Sequence, residues 1–128
     1  MSTDPYSPRV RELFAEPAHA GTLEGSCTAA VDDQDVRIRL FATFENEHIT
    51  ALRFKAWACP HVIAAAEAFC KEYEGRVAGD LLEFSTSYLM QSLSVPVEKT
   101  GRILVLEDAV RSLGNVARKT SDPDTKED

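Results

Sequence analysis

The residues with the most chemistry in them sit where a strand gives way to a helix, in Ala58-Cys59-Pro60-His61. Pro60 suits the first helical position, where its missing N–H costs nothing, so Cys59 is expected at a helix N-terminus. Free backbone N–H groups and the helix dipole favour a thiolate there, the form that accepts sulfur or binds metal. His61 follows two residues on, and Asp33 and Asp35 lie near a turn upstream. Together with Cys59 they make a mixed Cys/His/Asp set of a kind zinc accepts. A Cys-x-His pair without a second strong pair is a weak spacing, and an exposed histidine in a first helical turn is the plain alternative. Cys59 likewise reads either as a sulfur acceptor or as a small buried side chain.

The other two cysteines read as core. Cys70 lies farther along the same helix, about 16 Å from Cys59 at about 1.5 Å per residue. That exceeds the roughly 7 Å a disulfide spans. Cys27 shares a strand face with Ala29 and Val31. Three cysteines without regular spacing suggest free thiols in a reducing cytoplasm, the expected localisation. The sequence offers no Ser/His/Asp arrangement, glycine-rich phosphate loop or H-E-x-x-H, so no catalytic residue is assigned and no enzyme is expected.

The elements that must position Cys59 follow from periodicity. Ser7 with Pro8 predicts a capped first helix carrying Val10, Leu13 and Phe14 on one side, stopped by Pro17. From Thr22 the period is two. Leu23 to Val31 reads as a strand, then Asp32-Asp33-Gln34 as a turn. Val36, Ile38, Leu40, Ala42 and Phe44 alternate in a second strand, Glu45-Asn46-Glu47 turn, and Ile49 to Trp57 forms a third. Val62, Ala66, Phe69 and Tyr73 then fall on one helical stripe, with Gly75 placed to end it. Val77 to Phe84 and Tyr88 to Leu93 suggest two short helices separated by Ser85, Thr86 and Ser87. Thr100 is a candidate cap for a final helix through Ala117. The fold class is α+β: a three-stranded antiparallel sheet with helices packed on one face. Residues 1–5 are expected to be flexible, 6–118 to form one domain, and 119–128 to be a disordered acidic tail.

The 128 residues suffice for one core. Their formal net charge of −7 argues against a nucleic-acid backbone or an anionic membrane as partner and makes a basic protein partner the easier fit. No apolar run approaches the ~18 residues of a membrane span. The opening MSTDPYSPRV has no basic flank followed by an apolar core, so it is not read as a secretory signal. A monomer or weak homo-oligomer is expected. Arg37, Arg39 and Arg53 are expected on a solvated sheet face.

Four motifs in order resemble the IscU/NifU-type iron–sulfur cluster assembly scaffolds. Tyr6-Ser7-Pro8-Arg9-Val10 with Pro17 and Gly21 follows the opening of that family, Y-S-x-x-V…N-P-x-x-x-G. Arg53-Phe54-Lys55-Ala56-Trp57-Ala58-Cys59 is similar to R-F-K-x-x-G-C. Val95-Pro96-Val97-Glu98-Lys99 is a weakened L-P-P-V-K, and Leu106-Glu107-Asp108-Ala109 sits where that family has A-E-D-A. The resemblance spans roughly Tyr6 to Ala117. It implies an IscU-like fold, three cysteines and an aspartate that hold a nascent cluster or a zinc ion, and sulfur delivered by a cysteine desulfurase. Cys59 matches the second cysteine. The first falls on Gln34 or, with a one-residue shift, on Asp33 with the family aspartate at Asp35. The His-Cys pair falls on Gly101 and Arg102. The implied function is a divergent scaffold of iron–sulfur cluster assembly with an altered or lost metal site, Cys59 its one sulfur acceptor. The alternative is an interaction or regulatory protein that docks to the assembly machinery without holding a cluster. A cysteine desulfurase or an assembly chaperone is the implied partner, with Pro96 and Lys99 in the docking motif. Lys99 and Arg102 also offer an anion site at the last helix N-terminus.

Overall fold

The computed structural model describes residues 6–121, with side chains through Lys119. The first helix, α1 (Pro8–Ala15), starts on Ser7, whose Oγ accepts from the Val10 amide at 3.2 Å and donates to the Leu93 carbonyl at 2.9 Å. One hydroxyl thus caps α1 and ties it to a distant loop. Val10 and Leu13 are buried, whereas Phe14, expected beside them, is 42% exposed.

Three strands follow: β1 (Cys27–Asp33), β2 (Val36–Glu45) and β3 (His48–Trp57), antiparallel in the order β1-β2-β3. The connecting turns are tighter than the sequence suggests. Asp33 pairs with Val36, leaving Gln34 (φ 53°) and Asp35 (φ 62°) as a two-residue hairpin turn in the left-handed region. Asn46 (φ 53°) and Glu47 (φ 66°) do the same between β2 and β3. Paired left-handed residues match the twist of a hairpin, which is why the strands extend into the expected turns. Ile38, Leu40 and Ala42 on β2, with Leu52 and Phe54 on β3, face the core, while Arg37, Arg39, Lys55 and Trp57 are exposed on the opposite face. Beyond β3, Ala20 makes a parallel bridge to Phe54, with Gly21 N–H donating to Phe54 O (2.8 Å) and Phe54 N–H to His19 O (2.9 Å).

The helices cover one face. Pro60–Tyr73 forms α2, a 3₁₀ helix spans Ala78–Glu83, Ser87–Ser92 forms α3, a 3₁₀ turn spans Val97–Lys99, and Thr100–Ser121 forms α4. Val62, Ala66, Phe69 and Tyr73 are all buried, as their stripe predicts, and Ala64 to Ala66 bring α2 close to its neighbours. The second of the two expected short helices is α3, but the first closes as 3₁₀. Thr100 does not cap α4: it is the first helical residue and donates its hydroxyl to Val97 O at 2.6 Å. The Thr86 amide (2.9 Å) and hydroxyl (3.2 Å) instead donate to Glu107 Oε1, fastening the start of α3 onto α4. That α4 reaches Ser121 carries regular structure three residues past the expected domain end at 118. The expected flexible start, and the expected tail beyond Ser121, lie outside the described residues. Among the described residues no helix is long and apolar enough to cross a membrane.

Candidate functional site

Cys59 is the N-cap of α2, as its position before Pro60 predicts, with φ −73° and ψ 162°. Its carbonyl accepts from the Val62 (3.1 Å) and Ile63 (3.2 Å) amides, while its thiol makes no capping bond. The residue is half-buried at this helix N-terminus.

Two other segments converge on this turn. The last rung of the β2–β3 ladder sets Arg37 opposite Trp57, so the chain leaves β3 toward Cys59 beside the Gln34–Asp35 turn that enters β2. The same turn meets the start of α4: a Cβ placed on Gly101 would lie 3.5 Å from Gln34 Oε1. Asp33, Gln34 and Asp35 are exposed, and Asp33 Oδ1 accepts from the Gln34 amide at 2.9 Å. Pro96, Lys99 and Arg102 are half-buried, and the Lys99 charge is felt at His61. The turn before β2, the start of α2 and the start of α4 therefore form one corner.

His61 differs from both readings the sequence allows. It is not an exposed first-turn histidine but only 1% exposed, and neither Nδ1 nor Nε2 has a hydrogen-bond partner. Its ring packs against Tyr6 at 4.8 Å between centroids. Burial first, and the Lys99 ammonium second, push its pKa below the ordinary histidine value, so the ring is neutral at neutral pH. Among the described residues, no three His, Cys, Asp or Glu side chains are grouped so as to hold a metal ion. The expected set of Cys59, Asp33, Asp35 and His61 is thus not assembled. Gln34 and Asp33 lie at the turn before β2 and Arg102 in the first turn of α4, and of these corner residues Cys59 alone carries a thiol.

The remaining cysteines are as their patterns predict, with one difference. Cys70 is fully buried, and burial first, then Glu67 and Glu74, raise its thiol pKa well above the ordinary value. Cys27 is half-buried at the margin of the core rather than within it.

Sequence reasoning did not find the polar cluster on the far side of α2. His19 Nδ1 lies 2.7 Å from Glu67 Oε2, its Nε2 lies 3.0 Å from Glu74 Oε1, and its amide donates to Glu67 Oε1 at 2.9 Å. Glu74 Oε2 also accepts from the Leu52 amide (2.7 Å) and from Arg53 (3.0 Å), so Arg53 is not simply a solvated sheet-face cation. Burial would raise the Glu74 pKa, but the Leu52 amide, His19 and Arg53 more than offset it and hold the carboxyl below its ordinary range. Two glutamates at i and i+7 on one helix were the available signal, but nothing in the spacing names His19 as their partner. A cavity of about 400 Å³ lined by Phe44, Asn46, Leu82 and Arg118 lies at the opposite end, near the β2–β3 turn, and touches none of the corner residues.

The α+β sheet-and-helix layer is an architecture found in solved structures. The chain is 26% identical over 113 residues to the iron–sulfur cluster assembly protein IscU of Plasmodium falciparum (isolate 3D7), a match covering 83% of this chain and 69% of that protein. It is 25% identical over 114 residues to the iron–sulfur cluster assembly scaffold protein IscU of Rickettsia prowazekii (strain Madrid E), covering 84% and 87%. The fold is similar to that of the N-terminal NifU-like protein of Brucella abortus, with a TM-score of 0.71 at 15% identity over 90% of this chain and 95% of that one. No family model matches the chain. In sequence and in fold the chain is similar to IscU/NifU-type proteins.

Proposed function

We propose that this protein is an iron–sulfur cluster assembly scaffold in which the cluster cradle is altered and Cys59 is the one sulfur acceptor. The likeness to IscU proteins supports the scaffold role. The observation that supports the finer reading is the corner itself: half-buried Cys59 caps α2 near the Gln34–Asp35 turn, which meets Gly101 at the start of α4. A helix N-terminus favours the thiolate that attacks a persulfide sulfur. Transfer would move the outer sulfur of a desulfurase persulfide onto Cys59, leaving the donor cysteine as its thiolate and Cys59 as persulfide. A cluster, as cargo, wants thiolates on several sides, and one thiol with Gln34 and Arg102 at the other corner positions does not supply them. In this reading the protein docks to a cysteine desulfurase or an assembly chaperone, with Pro96 and Lys99 in the contact.

In a second reading the protein regulates the machinery by docking alone, through the same Pro96 and Lys99. One experiment separates them. The full chain is incubated anaerobically with a cysteine desulfurase and cysteine, with and without iron. Intact-mass spectrometry should gain one sulfur atom on Cys59 and none in Cys59→Ser, and visible absorption should remain flat without a partner scaffold. A wild-type mass unchanged under these conditions removes the sulfur-acceptor role and leaves the docking role. Stoichiometric cluster absorption on the chain alone would overturn the altered-cradle reading.

A further inference from the structure

We propose that the outer sheet face and the open end of β3 dock an extended acidic segment of a partner protein, added as a strand beside Ala56. The proposal is independent of what Cys59 carries.

The first observation is charge. In a chain of net charge −7, the sheet face turned away from the helices carries Arg37, Arg39, Arg53 and Lys55. Two of these have carboxylate partners: Arg37 with Asp32 at 3.2 Å, and Arg53 with Glu74 at 3.0 Å. Arg39 and Lys55 pair directly opposite each other across β2 and β3, and neither has a carboxylate partner among the described residues. Like charges directly opposite on one sheet face destabilise the pair. An anionic neighbour relieves that repulsion, which is why the complementary partner is acidic even though the whole chain is acidic too.

The second observation is the edge. Phe54 directs its N–H and C=O away from β2, onto Gly21 and His19. By the two-residue alternation of a strand, Ala56 presents its own N–H and C=O to the same side, past the point where the His19–Gly21 segment ends. No backbone bond crosses this edge from Ala56 within the described chain. The third observation is the groove along that edge, about 510 Å³, lined by Phe14, Pro17, Gly21, Ala56, Trp57 and Ile63. Trp57 is 59% exposed and Phe14 42%, two exposed aromatics among its lining residues.

The three fit one occupant. A strand laid beside Ala56 sends alternate side chains to opposite faces. One set falls on the outer face near Arg39 and Lys55, and the other points into the apolar groove. The ligand chemistry is therefore a peptide segment alternating carboxylates with apolar or aromatic residues.

The test uses the full chain and a dye-labelled synthetic peptide of alternating glutamate and phenylalanine, with a lysine–phenylalanine peptide as control, read by fluorescence anisotropy. Binding of the acidic peptide alone, weakened by added salt, is expected. R39E/K55E should weaken it about tenfold or more. Ala56→Pro should abolish it, because proline removes the outward donor while sparing the β2 ladder, as edge positions tolerate. Both variants are checked by thermal melting; should Ala56→Pro melt early, the charge reversal decides alone. Equal binding of the two peptides, or acidic-peptide binding that R39E/K55E leaves unchanged, overturns the proposal. So does binding seen only after D122N/D124N/E127Q/D128N, which would give the face to the acidic end of this chain. Salt-sensitive self-association by sedimentation, lost in R39E/K55E with no peptide binding, would give it to a second copy and equally overturn the proposal.

Discussion

One histidine stands in the first turn of α2 and another packs against its later turns, and their surroundings are inverse. His19 enters from a loop and has a carboxylate on each ring nitrogen, Glu67 at 2.7 Å and Glu74 at 3.0 Å. His61 is more deeply buried and has no partner on either nitrogen. A buried polar group that is fully bonded fixes structure, whereas one left unbonded costs about 1–3 kcal/mol. The fold tolerates that cost at the Cys59 corner and not beneath the His19 loop. The loop that covers the β3 edge is thus fastened to the later turns of α2, while Cys59 caps its N-terminus.

The largest test of this contrast is Glu67→Ala. It strands the His19 ring and amide in a site where the glutamate side chain is 3% exposed. Leaving the His19 amide and ring nitrogen without their acceptor costs about 1–3 kcal/mol each. Urea unfolding should show a loss of that size; a loss below about 1 kcal/mol, the range of exposed pairs, would make the clasp ornamental. His61→Phe should act in the opposite direction. It keeps a ring against Tyr6 and removes two unbonded nitrogens, so stability should rise by about 1–3 kcal/mol. Destabilisation instead would mean that His61 has a partner in solution, and the contrast would collapse. The smallest expected effect is on acid tolerance. The Glu74 carboxyl is held below its ordinary range in the fold, so the unfolded chain binds its proton first as pH falls. Its contribution is complete above the unfolded pKa of about 4.3 and is lost as pH drops toward the lower folded value. Glu74→Gln should therefore be less stable at pH 7, on the order of 1 kcal/mol given partial exposure, and should lose less on acidification. Parallel stability–pH curves for the two proteins would remove Glu74 from the acid response.

Much of the frame was legible because it is local. Alternation through Val36 to Ala42 and the stripe of Val62, Ala66, Phe69 and Tyr73 each need only their own segment to be read. Cys59 before Pro60 named its helix terminus for the same reason. The turn at Gln34–Asp35 was misplaced by a residue because Asp33 resembles a turn former, yet the ladder to Val36 recruits it into β1. Phe14 shows the opposite error: its helical spacing from Val10 is apolar, but α1 ends before anything packs over it.

What the sequence determined by itself is the alternation of period two and period 3.6, hence three strands, a covering helix, and a thiol at the junction. Only the tertiary structure decided which histidine is satisfied. Glu67 and Glu74 lie 48 and 55 residues from His19, and Gln34 meets Gly101 across the whole helical layer. Those contacts depend on how the sheet and helices pack, and no spacing along the chain encodes that distance. The corner around Cys59 is therefore written locally in its thiol and its proline, while the company that thiol keeps was settled by packing.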